Sequence, residues 1–300
     1  MELPLAPSYA TLCLVQGVLV LAPWRPWHLA RTRAIGLLLP LAACAAGVGI
    51  VRGFSSGADV LTTLATVATP TLAAVSGWVR RWPLSWLPLV LTPALYVVAW
   101  QEGGTLGGQA AGLVLIGGAC LTLSSLIAAL TPPHALAAGL VLVVALDIVF
   151  VWGIDQVGPA TVAVHHAVPP VAGVPGVPPK PLPALQDGAF GSALMGWLDF
   201  LAPALLGTLF AGRVRVRVAG ATTVGALLFG LLLFVTSPVA ATVPVLAGLA
   251  AGRRALRTDP SSGTSGETAD HALWSQRATL VATNAPAAMR TIAPPGARSP

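Results

Sequence analysis

Long apolar stretches dominate the chain, separated by short polar or Pro/Gly-rich joints. A helix needs about 20 predominantly apolar residues to cross the hydrocarbon core of a bilayer. By that measure the pattern predicts nine helical spans, over residues 9–23, 34–51, 60–79, 86–100, 106–130, 135–153, 190–211, 218–235 and 239–251. The first and last are short, and the fifth is rich in glycine. Residues 154–188 form a long Pro/Gly-rich loop, in which the β-branched stretch 161–168 has the character of a short strand. Residues 258–300 are rich in Ser, Thr, Gly, Pro and Ala, as in a disordered tail. A patch at 273–281 is suited to folding on a membrane surface. The expected organisation is an all-α, polytopic transmembrane domain over residues 1–257, followed by a disordered cytoplasmic tail over 258–300.

Composition agrees with that pattern. Hydrophobic residues make up 55% of the chain and charged residues 9%, with a mean hydropathy of +0.81. Soluble domains carry about 25% charged residues, so a soluble globular class is excluded. The net charge of +6 does not point to nucleic acid, because the basic residues sit in short joints between apolar runs. Tryptophans 24, 27, 78, 82, 86, 100 and 152 fall near the ends of the runs, where an interfacial aromatic belt belongs. Cys13, Cys44 and Cys120 lie far apart inside apolar runs, without the spacing of a disulfide framework or a zinc site. They read as small hydrophobes.

The joints divide by charge. Arg25, Arg31, Arg33, Arg80, Arg81, Arg213, Arg215 and Arg217 occupy the first, third and seventh, and Arg253, Arg254 and Arg257 follow the last run. The opposite side holds Arg52 and Lys180 against Asp59, Glu102, Asp155 and Asp187. The positive-inside rule then predicts a multi-pass cell-membrane protein, its N-terminus outside and its C-terminus cytoplasmic.

Two acidic residues fall within predicted spans: Asp147 in the sixth and Asp199 in the seventh. Carboxylates at such depth are costly and mark functional sites. The sixth run ends outside and the seventh begins there, so both aspartates are expected roughly 10 Å below the outer surface. Ser192, Gly196, Pro203 and Gly207 share the predicted helix face of Asp199 and permit close backbone approach. Pro203 has no N–H for the Asp199 carbonyl, so a kink is expected there. A face-to-face pair would share one proton, letting one carboxylate activate water while its partner polarises a peptide carbonyl. From the residues alone, a proton or ion site of a transporter and a purely structural hydrogen-bonded pair stay open beside that chemistry. His165-His166 lacks a third ligand at useful spacing and reads as a solvated pair. Gly103, Gly104, Gly107 and Gly108 read as helix-packing residues, and Gln16 and Glu102 as structural or interfacial ones.

Three segments combine into a wider pattern. Leu146-Asp147, followed by Ile148-Val149-Phe150-Val151-Trp152-Gly153, lies on the sixth run. Gly196-Trp197-Leu198-Asp199, followed by Phe200-Leu201-Ala202-Pro203, lies on the seventh, and Pro244-Val245-Leu246 on the ninth. They resemble the Tyr-Asp, GxGD and Pro-Ala-Leu motifs of the presenilin and signal peptide peptidase family of intramembrane aspartyl proteases. The resemblance is concentrated in residues 135–252. Leu146 stands at the family's tyrosine, Leu198 at the glycine before the second aspartate, and Val245 at the alanine. The resemblance implies a presenilin-like fold of nine spans with Asp147 and Asp199 as the catalytic dyad. Leu146, Gly196, Trp197, Leu198, Pro244, Val245 and Leu246 would line the site. Substrates would be single-span membrane proteins or signal-peptide remnants drawn from the lipid bilayer, and no metal or organic cofactor is implied. An inactive relative that binds transmembrane helices, and a proton-coupled transporter, are the alternatives.

Overall fold

The computed structural model describes residues 3–22, 57–80, 84–149, 171–172, 180–231 and 242–257, with positions 34, 38, 39, 42, 45, 46, 49, 50 and 53 between the first two stretches. The chain divides into two compact units, Met1–Ala255 and Leu256–Pro300, and nearly all of the second lies outside the described residues. So do Cys44, His165, His166, the stretches 161–168 and 273–281, and the first joint with Arg25, Arg31 and Arg33.

Eight helices account for most of the described residues. They are α1 (Leu5–Leu21), α2 (Gly57–Val79), α3 (Leu87–Gln101), α4 (Leu106–Leu130), α5 (Pro133–Ile148), α6 (Trp197–Leu209), α7 (Gly212–Gly230) and α8 (Pro244–Arg257). The described positions between 34 and 53 are helical too. By length and composition, α2 and α4 can cross a membrane, whereas α1, α3, α5 and α6 are apolar but shorter. The ends follow local chemistry. Thr105 caps α4 by accepting the Gly108 N–H at 3.2 Å, and prolines open α3 and α5, where a missing N–H costs nothing.

Three expectations change. The fold is not wholly helical: β1 (Val171–Ala172) pairs antiparallel with β2 (Lys180–Pro181), and β3 (Asp187–Phe190) with β4 (Ala193–Gly196). The second pair replaces the first turns of the predicted seventh helix, so Ser192 and Gly196 belong to a hairpin and share no helix face with Asp199. Gly191, at φ +57°, makes its two-residue turn, a conformation tight hairpins take at that position and β-carbons disfavour. Arg213, Arg215 and Arg217 lie in the first turns of α7, not in a joint. They escape an apolar-run reading because hydropathy registers where apolar residues begin, not where backbone hydrogen bonding does.

α4 is the central helix, packed against α2, α3, α6 and β3, while α1 packs on α6 and α7, and α5 on α6. The main core joins Leu12, Val20, Ile116, Leu140, Phe200 and Leu206. Gln16 bonds the Asp199 carbonyl and Val20 lies against Gly207, so α1 and α6 run in the same direction. Gly17 lies by Thr223 and Gly230 under the Tyr9 ring, so α7 runs opposite to α1. Leu72 and Ala73 of α2 meet Thr122 and Gly118 of α4, while Arg80 reaches Leu121 and Ser125, so these two run together.

On α1 and α2, polar side chains are buried while several large apolar ones are exposed, unlike the helices of a water-soluble bundle. On α2, Thr62, Thr66, Thr69 and Ser76 are buried while Val60, Leu64, Val67 and Trp78 are exposed. On α1, Ser8 and Gln16 are buried while Leu14 and Val18 are exposed. Of the buried hydroxyls, Thr66 donates to Thr62 O at 2.8 Å, and Thr122 donates to Leu72 O at 2.7 Å, joining α4 to α2. Arg80, 1% exposed, donates to Leu121 O, Ser125 Oγ and Ala22 O, closing the C-terminal end of α1.

Candidate functional site

Asp147 lies in the last turn of α5, half-buried. Its Oδ2 accepts the Thr242 hydroxyl at 2.6 Å and the Thr242 N–H at 3.3 Å. Thr242 is itself buried and stands in the turn that leads into Pro244 and α8. The sixth-run aspartate is therefore tied directly to the start of the third motif segment. Val245, 1% exposed, joins the same hydrophobic core as Val144 and Phe200. A β-carbon on Gly248 would meet Leu206 of α6 and Val218 of α7, so α8 seats closely on both.

Asp199 is half-buried in the first turn of α6 rather than mid-helix, because the hairpin occupies the residues before it. At this position its Oδ2 accepts the Gly196 N–H at 2.9 Å, satisfying a donor that a helix start leaves without an intrahelical acceptor. Pro203 does leave the Asp199 carbonyl without its helical donor. Gln16 Nε2 of α1 fills the gap at 3.0 Å. Trp197 Nε1 and Gln16 Oε1 are buried with no hydrogen-bond partner.

The hairpin that delivers Asp199 is held from two sides. The Gly191 N–H donates to Gln109 Oε1 of α4 at 2.7 Å. Ser192 donates through its N–H to Ser8 Oγ at 3.2 Å and through its hydroxyl to Leu3 O at 3.0 Å. Gly207 meets α1 backbone to backbone: a β-carbon there would lie 2.9 Å from Val20 Cα. The expected closeness at Gly207 is present, with α1 as the neighbour.

The remaining candidates separate by exposure. Leu198 is 45% exposed, so the side chain at the glycine position turns outward instead of into the core. Leu146, Gly196 and Trp197 are half-buried, Pro244 is buried and Leu246 is exposed. Sequence reasoning missed Thr242 and assigned Gln16 only a structural or interfacial role. Gln16 carried a signal, being a strongly hydrogen-bonding side chain inside an apolar run, where partners are scarce, whereas a threonine there carries none. Cys13 and Cys120 are buried free thiols.

Comparisons of the chain with protein-family models, curated proteins and solved structures returned no match.

Proposed function

We propose that the chain is a multi-pass intramembrane aspartyl protease-like protein, hydrolysing peptide bonds within transmembrane segments or signal-peptide remnants. One observation carries the reading: the segments bearing the three motifs converge. α5 packs on α6, Thr242 ties Asp147 to the start of α8, and α8 seats against α6. In the mechanism, Asp147 and Asp199 share one proton. One carboxylate takes a proton from water as that water attacks the scissile carbonyl, and the protonated partner donates to the carbonyl oxygen. Thr242 orients Asp147, and Gly196 and Gln16 fix the turn that carries Asp199.

Membrane embedding is supported by the inverted polarity of α1 and α2 and by the helix directions. Exposed Leu and Val are favourable against lipid, and buried hydroxyls avoid it. Parallel α1 and α6, with α7 antiparallel, fit the first, seventh and eighth passes of a chain alternating across a bilayer. Nine passes with the N-terminus outside complete the proposed topology.

A second reading has its own observation. Both carboxylates already accept donors from their own chain, as they would in an inactive relative that uses them as helix tethers. Purified protein reconstituted with single-span substrates separates the two. Wild type should cleave, and Asp147→Asn and Asp199→Asn should each abolish cleavage. Cleavage that survives either change would sink the dyad, and an inert wild type across a substrate panel would favour the tether.

A further inference from the structure

Asp199 O should accept a hydrogen bond from the residue four positions on, but that residue is Pro203. The bond it receives instead comes from another helix. Gln16 Nε2 lies 3.0 Å away, and Gln16 is 1% exposed. Only the NH₂ end of the carboxamide can donate, so the orientation follows from the acceptor. Nε2 also approaches Met195 Sδ at 3.8 Å, in the strand leading to Asp199. Oε1 has no hydrogen-bond partner. A buried carboxamide with an orphaned oxygen costs free energy that an aliphatic side chain would not. The offset available is its bond to the carbonyl that proline opens.

We propose that Gln16 is a positioning residue for Asp199: its amide stands in for the N–H that Pro203 lacks and fixes the first turn of α6. The Asp199 carboxylate closes back onto Gly196 N in that same turn. Rotation of the turn would therefore carry the carboxylate with it. The catalytic consequence rests on the protease reading of Asp199, whereas the hydrogen bond does not.

A double-mutant cycle on the full-length protein in detergent micelles tests the clamp. Pro203→Ala restores a helical N–H for the carbonyl, so the need for Gln16 should diminish. Gln16→Leu should lower Tm, and by less than half as much when Pro203→Ala is present. Equal shifts in both backgrounds, or no shift in either, overturn the proposal. Should Gln16→Leu fail to accumulate, yield replaces Tm: recovery in the double variant supports the clamp, and loss of both overturns it. On a substrate that wild type cleaves, Gln16→Leu should lower kcat by about tenfold or more with KM unchanged, since misplacement by about an ångström has that scale. Pro203→Ala should restore most of the loss. A raised KM with kcat intact, or no rescue, removes the positioning role. A wild type inert on every substrate counts against the protease reading alone and leaves the unfolding cycle to decide the clamp.

Discussion

Asp147 and Thr242 are 95 positions apart in the sequence, yet one hydroxyl joins them at 2.6 Å. A net hydrogen bond to a charged group is worth about 1.5–3 kcal/mol, and each 1.36 kcal/mol is about tenfold in rate. On the protease reading, Thr242→Val should lower cleavage by about tenfold or more, because it keeps the N–H but removes the closer donor. Thr242→Ser should retain most activity, and equal activity in all three chains would show that the hydroxyl does not orient Asp147. Leu198 leads to a different expectation. Its side chain is exposed, so Leu198→Gly should leave cleavage intact or raise it, while costing about 1 kcal/mol of helix propensity. A loss of cleavage as deep as that of Asp199→Asn would mean that this leucine contributes to the site. Both aspartates were legible as candidates because a carboxylate is conspicuous in an apolar run. Thr242 was not, since threonine is common in membrane helices and only the fold reveals what its hydroxyl meets.

The elements were legible in proportion to how far apolar content alone decides them. The apolar run 106–130 coincides with α4 to the residue, because no competing pattern interrupts it. The seventh run departs from the apolar pattern at its start for a physical reason. Ala193, Leu194 and Met195 satisfy a hydropathy window equally well as strand or helix, although they alternate buried, exposed and buried. Gly191-Ser192 was the available turn signal. The seam between α1 and α6 is more demanding than either helix. Gly207→Leu should force Val20 away and separate the helices, lowering Tm by several degrees and weakening cleavage together, since Gln16 lies one turn from Val20 on the same face. An unchanged Tm would show that the seam tolerates the added volume.

For the whole molecule, the proposed topology makes its own prediction. Reporters fused after Arg81 and Arg257 should read cytoplasmic, and one near Lys180 external, following the arginine asymmetry. A cytoplasmic signal near Lys180 would invert the arrangement. If each run is a pass, the relative directions of α1, α6 and α7 were implicit in the alternation of charged joints. The order of neighbours was not, because apolar runs of similar composition carry no label of which partner each will meet. Hence the central place of α4 emerged only from the fold.

The long reach of the bonds around the two aspartates has a consequence for biosynthesis. Gln16 meets Asp199 across 183 positions, and Asp147 waits for Thr242. A ribosome adds about 5–20 residues per second. On the proposed topology, the first helix is thus in the bilayer for on the order of ten seconds before its partner is translated. Throughout that interval the nascent chain holds no complete pair of supported carboxylates. On the protease reading, a chain assembled in this order would be silent until its last helix is inserted, so neighbouring nascent membrane proteins at the translocon would be spared, and prematurely terminated chains would be born without activity.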